Sequence, residues 1–322
     1  MNELESTPLP TRDGGLRSSG LHWAKNGVRV ETTMSPSAGF DPGTRVDVWV
    51  AHQAALQALR QVLSAFATAG IEALAVKGIV LAHQLYDDVA DRPIQDVDLR
   101  VCPADLHRVI ALARQRGWAL DRSSRQLGCA GFRIGRVLVE VETTVGPAGL
   151  CPLRVKDMLG RSVRRTMPAG FTVLEPEPVD HAILLVVNAF KDKIVECPSW
   201  SRSDLVRIVQ IAGFDQGSFV ERVLHLRLET MTWIVADWLI AHHETPRWRE
   251  IQGRLRLRRH TYARAYSELA RSAPAGLAMR LVARMGSDSA LLRAYALGGA
   301  VAGTLLVRLR NGASSQAAAE VP

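Results

Sequence analysis

Asp96-Val97-Asp98 heads a run, Asp96 to Val101, in which polar and apolar residues alternate. A period of two predicts a strand, and on a strand the two aspartates point to the same face. Carboxylates that close repel, and one is driven to hold a proton unless a cation stands between them. Hard oxygen ligands of this kind suit Mg²⁺ or Mn²⁺, with phosphate oxygens completing an octahedron. An Asp-x-Asp pair also arises by chance, as two solvated strand carboxylates. What precedes it decides the reading.

Upstream lies Ala73-Leu74-Ala75-Val76, a short apolar run that predicts a buried strand, followed by Lys77-Gly78 and then helical spacing from Ile79 to Tyr86. A helix that opens behind a glycine turn exposes backbone N–H groups and carries positive partial charge, so it can cradle phosphates. Gly78 lets that backbone approach closely, and Lys77 adds a mobile cation. Nothing matches GxxxxGK[ST], which excludes a P-loop. Arg92, just before Pro93, is open to two readings, a phosphate contact or a structural pair with an aspartate. His181 reads as a satisfied helix-start histidine. Lys191 and Asp204 read as structural residues or as nucleotide or acceptor contacts.

Several elements must position these groups. Apolar residues recur at helical spacing from Val46 to Ala69, and Gly70 follows as a C-cap. Asp105 to Gln115 predicts a helix closed by Gly117. Phe132–Ile134 and Val137–Val141 predict a hairpin around Gly135-Arg136. Beyond the proline-containing stretch 175–178 every periodic segment is helical: Ala182–Lys193, Arg202–Ile211, Phe219–His242, Arg259–Arg271 and Leu291–Leu309. The expected organisation is a disordered arm over 1–44, a core over 45–175 that carries the chemistry, a helical region over 176–310 and a loose tail over 311–322. The fold class is α+β, a small mixed β-sheet with helices followed by a mostly α-helical region.

Composition bounds the remaining possibilities. With 322 residues, 47% of them hydrophobic, the chain has ample material for a core. The formal charge of +8 is almost all arginine, since lysine occurs only at 25, 77, 156, 191 and 193. It is compatible with a nucleotide or RNA partner and equally with a basic solvated surface. The cysteines at 102, 129, 151 and 197 form no CxxC or CxxH pair, which argues against a zinc site or a disulfide scaffold. No signal-like apolar segment opens the chain, and no uncharged apolar run is long enough to span a bilayer. A cytoplasmic protein is expected.

The stretch from Val76-Lys77-Gly78 through Leu81-Ala82, Tyr86 and Arg92-Pro93 to Asp96-Val97-Asp98-Leu99 resembles a bacterial family of uncharacterised nucleotidyltransferases with the pattern KGxxLA…Y…RPxxDxDLLV. That family is a branch of the polymerase-β-like superfamily. The resemblance is close over Leu74–Val101 and looser to about Ile211. It implies that Asp96 and Asp98 hold metal ions, that Lys77 and Gly78 contact a triphosphate, and that a neighbouring strand supplies a third carboxylate. In Val137-Leu138-Val139-Glu140-Val141-Glu142 the matching position is Glu140, with Val139 and Val141 packing inward. Relatives usually read Asp, apolar, His at 140–142, so Glu142 replaces a potential proton carrier and is the candidate substitute base. Relatives are usually apolar at position 100, where this chain has Arg100. Arg100 on the aspartate face either pairs with a carboxylate and displaces a metal or steers a phosphate.

The implied activity is transfer of a nucleoside monophosphate from an NTP to an acceptor hydroxyl with release of pyrophosphate. The resemblance implies Mg²⁺ or Mn²⁺ as cofactor, with Asp96, Asp98 and Glu140 as catalytic metal ligands. Lys77, Gly78, Arg92 and Lys191 are the candidates for binding the nucleotide. A small metabolite, a peptide, a glycan or an RNA such as tRNA is the implied acceptor. The rival expectation is an inactive nucleotidyltransferase-fold scaffold, motivated by Arg100 and Glu140 and the missing histidine.

Overall fold

A computed structural model of the chain describes residues 45–124, 128–192, 196–243, 245–272 and 277–298. The expected arm 1–44, the tail 311–322 and the part of the expected helix Leu291–Leu309 beyond 298 lie outside those residues. Residues 290–298 are helical.

The chain opens with helix α1 (Arg45–Thr68), which Gly70 closes at φ 61. Strand β1 (Ala73–Val76), helix α2 (Gly78–Leu85) and strand β2 (Asp96–Val101) follow. Next come helix α3 (Leu106–Gln115) and the strands β3 (Ala119–Ser124), β4 (Cys129–Ile134) and β5 (Val137–Glu142). A short helix α4 (Val155–Gly160) leads to strands β6 (Val163–Thr166) and β7 (Thr172–Glu175). The remainder is helical: α5 (Pro178–Lys191), α6 (Ser199–Ile208), α7 (Gln216–His225), α8 (Glu229–His242), α9 (Pro246–Arg254), α10 (His260–Ser272) and α11 (Leu277–Arg284).

The fold is α+β, and its sheet has seven strands in the order β3-β4-β5-β2-β1-β7-β6. Strand β2 lies near the centre, antiparallel to β1 and parallel to β5. Alternation along β2 divides the core. Val97, Leu99 and Val101 join Ala73, Ala75, Val139 and Val141 against α1 and α3. Leu74 and Val76 belong to the other cluster, with α5 and the helices beyond it. Leu74 and Val76 sit opposite Arg100 and Asp98, so the carboxylate face of the sheet is the one turned toward the helical region.

Two expectations are corrected. The sheet is larger than expected, because β3, β6 and β7 join it; β7 runs parallel to β1, with Leu174 opposite Leu74. The expected helix Phe219–His242 is two helices. Arg227 takes φ 57, and the Leu228 N–H bonds back to the Val223 carbonyl at 3.0 Å, a closure that ends α7 before α8 begins. Apolar spacing runs on through Leu224, Leu226 and Leu228, so the period does not register this break. Helices α4, α9 and α11 were likewise not expected. Among the described residues no helix is long and apolar enough to cross a membrane.

Candidate active site

Register brings the acidic residues together. Strand β2 pairs with β5 so that Asp98 lies opposite Glu140, with Asp96 one step earlier on the same face. One carboxylate oxygen from each of Asp96, Asp98 and Glu140 lies within 4.8 Å of the others, the spacing of adjacent strands. Asp98 and Glu140 are buried, at 4% and 7% exposure, and Asp96 is half-buried. Burying carboxylates side by side is expensive without a cation. Oxygen donors at this separation fit a hard divalent cation such as Mg²⁺ or Mn²⁺.

Lys77 places a cation at the cluster: its Nζ donates to Asp98 Oδ1 at 2.8 Å. Lys77 stands immediately before α2, at φ 56 and ψ −133, with no side chain capping the helix. Glycine occupies that region of backbone space freely; a side-chain-bearing residue there is strained. The sequence pointed to Gly78 as the turn residue, and here the outcome differs: the left-handed residue is Lys77. A Cβ on Gly78 would lie 3.2 Å from Arg92 Nη1 and 3.8 Å from the Asp96 carbonyl, so Gly78 serves the packing of α2 against segment 92–96.

His181, at the start of α5, meets this turn. Lys77 N–H donates to His181 Nε2 at 3.1 Å, so the ring is an acceptor there and carries its proton on Nδ1. Burial pushes His181 down to about 3, helped by the nearby charges of Arg165, Lys77, Arg100 and Arg92. The adjacent Asp180 binds Arg161 and Arg222, which fixes the beginning of α5. Burial still pushes Asp180 up, against both guanidinium groups.

Arg100 does lie on the aspartate face, but its ion pair is with Glu142. The Arg100 Nη2–Glu142 Oε2 distance is 2.5 Å, and the two residues are register partners across β2 and β5. Of the two sequence alternatives, pairing with a carboxylate is the contact observed, and the carboxylate is that of Glu142. Glu142, the candidate substitute base, is held by a guanidinium. Two of the three departures from the family pattern, Arg100 and Glu142, are thus partners in one largely buried ion pair.

Arg92 is engaged in a two-point contact with Asp204 of α6, at 2.7 Å from Nη2 and 3.4 Å from Nε. Tyr86 donates to the same carboxylate at 2.8 Å, and burial followed by Asp204 pushes its hydroxyl pKa up. His52 of α1 donates from Nε2 to the Arg92 carbonyl at 2.8 Å. These contacts staple segment 86–92 between α1 and α6. Lys191 sits at the far end of α5, paired with Asp192 at 3.2 Å. A rise of 1.5 Å per residue puts its backbone about 15 Å from that of His181.

The family of uncharacterised nucleotidyltransferases matches residues 44–242. No curated protein matches the chain. Among solved structures, the solution structure of the antibiotic-resistance factor ANT(2'')-Ia is 16% identical, with a TM-score of 0.40 over 58% of this chain and 96% of that one. A tRNA-processing enzyme in an apo form is 15% identical, with a TM-score of 0.25 over 67% and 77% of the two chains. A tRNA nucleotidyltransferase complexed with a primer tRNA and an incoming ATP analog is 13% identical, with a TM-score of 0.24 over 78% and 98%.

Proposed function

The chain belongs to the family of uncharacterised nucleotidyltransferases, and from that premise we propose that it transfers a nucleoside monophosphate from an NTP to an acceptor hydroxyl. In this reaction the acceptor oxygen bonds to the α-phosphorus, the bond from the α-phosphorus to the bridging oxygen breaks, and pyrophosphate leaves while the hydroxyl gives up its proton. Asp96, Asp98 and Glu140 would hold Mg²⁺ or Mn²⁺, which supplies an acidified acceptor hydroxyl and a neutralised leaving group. The first-turn amides of α2, which the Lys77 side chain does not cap, would donate to phosphate oxygens. Lys77 adds a cation beside them, and the rigid mounting of β2 on β5 keeps the carboxylates in place.

The observation that carries this reading is the convergence of three carboxylates from two adjacent strands within 4.8 Å, beside the start of α2. The rival reading, an inactive scaffold, rests on Arg100, on Glu140 in place of Asp and on the missing histidine, and the structure bears on the first of these. The ion pair of Arg100 with Glu142 weakens that case. The acceptor class remains a small metabolite, a peptide, a glycan or an RNA, and a screen of labelled NTPs against extracts addresses it. The direct test is thermal. Mn²⁺ with ATP is expected to raise the melting temperature, because a ligand that binds only the folded state stabilises it. Asp98→Asn is expected to remove the metal-dependent part, and an unchanged shift in that variant refutes the assignment.

A further inference from the structure

Lys77 makes three contacts that belong to one arrangement. Its N–H donates to buried His181, its carbonyl accepts the Leu81 N–H at 2.8 Å, and its ammonium lies 2.8 Å from Asp98 Oδ1. Together they hold a lysine where a side-chain-bearing residue is strained, and such strain persists only where the surroundings over-determine it. The result is an ammonium, largely out of solvent, on an oxygen of the carboxylate cluster. A buried ammonium there competes with any divalent cation for the same carboxylate.

The lysine also has a second place to go. It immediately precedes α2, so an anion bound at the first turn of that helix lies within reach of its flexible side chain. We infer that Lys77 is a built-in counter-ion that His181 poises on Asp98, so that the cluster loads a divalent cation together with a polyphosphate anion that draws the ammonium away. This rests on the reading of α2 as the triphosphate-binding end. It adds an order to that reading: metal and nucleotide enter as a pair, and each strengthens the other by the same factor. His181 is a positioning residue in this scheme, acting only through the backbone of Lys77. Its neutrality at ordinary pH follows from its burial and keeps Nε2 an acceptor.

The experiment is calorimetric titration of the full chain, first with Mn²⁺ alone and then with preformed Mn·ATP. Lys77→Met is expected to bind Mn²⁺ alone about tenfold tighter and Mn·ATP about tenfold weaker, within the range that coupling between sites spans. Lys77→Gly, which also relieves the backbone, is expected to do the same and to fold with no strain at position 77. His181→Gln, which offers an acceptor oxygen near Nε2, is expected to stay close to the parent, while His181→Leu moves both affinities part of the way toward Lys77→Met. If Lys77→Met leaves Mn²⁺ affinity within about twofold while Asp98→Asn abolishes it, the counter-ion idea is overturned and the metal site stands. A tighter Mn²⁺ with unchanged Mn·ATP overturns the hand-over to the nucleotide. Binding indifferent to Asp98→Asn overturns both this inference and the function from which it starts.

Discussion

Arg100 and Glu142 give the most demanding test of the site's electrostatics. Arg100 is 2% exposed and Glu142 14%, so the pair has little solvent to share its charge with. Arg100→Leu leaves Glu142 without its cation, one strand step from Glu140. Removing one partner of a buried pair costs about 3–5 kcal/mol, and the partial exposure of Glu142 favours the lower end, about 3 kcal/mol. In a domain of 150–250 residues that corresponds to a melting temperature lower by about 6–12 °C. Removing both charges together, as Arg100→Leu/Glu142→Leu, is expected to restore most of the loss, since it leaves neither charge uncompensated. The double variant also takes away no net charge, so Mn²⁺ affinity is expected to stay within about threefold of the parent, a difference under 1 kcal/mol. Urea unfolding of the parent, both single variants and the double variant gives the coupling energy, and calorimetry gives the metal affinity. A double variant as unstable as Arg100→Leu alone, or one whose Mn²⁺ affinity moves more than about tenfold, refutes the view of the pair as a neutral structural support.

Other consequences follow from the same contacts. His52 is fully buried and held down to about 4, below its ordinary 6.5, mainly by desolvation. The unfolded chain therefore takes up a proton that the native chain refuses, and stability present above pH 6.5 is lost as pH falls toward 4, by up to about 1.4 kcal/mol per unit. His52→Gln is expected to flatten that slope in urea melts at pH 7, 6 and 5, and an identical slope excludes this cause. Tyr86→Phe is expected to cost about 1–2 kcal/mol, from the hydrogen bond to Asp204, while leaving the shift with Mn²⁺ and ATP unchanged. Asp204→Asn strands the buried Arg92 and is expected to cost about 3–5 kcal/mol; a loss below about 1 kcal/mol speaks against a structural Arg92–Asp204 staple.

Much of the site was legible in the order of residues. Alternation alone put Asp96 and Asp98 on one face of a strand and Val97 and Leu99 on the other, because the direction of a side chain on a strand depends only on parity. Helical spacing with a glycine closure identified α1 within a residue at each end, and an apolar run ahead of Lys77-Gly78 identified β1 and α2. Resemblance nominated Glu140, and register then brought it opposite Asp98. What the sequence could not carry were contacts between segments distant along it. Strand β6 is polar and largely exposed, and β7 is four residues long; neither has a periodic signature, and both are strands because β7 found the open edge of β1. The break at Arg227 goes with a local hydrogen bond, and the left-handed backbone of Lys77 is held by His181 and Asp98, both distant along the chain; each is a side-chain-bearing residue where glycine would be expected. Arg100 was expected beside the aspartates, since parity puts it on their face. Parity fixes a face but says nothing about the neighbouring strand, and it was the register of β2 on β5, set when the sheet closed, that gave Arg100 to Glu142 and left Asp98 to Lys77.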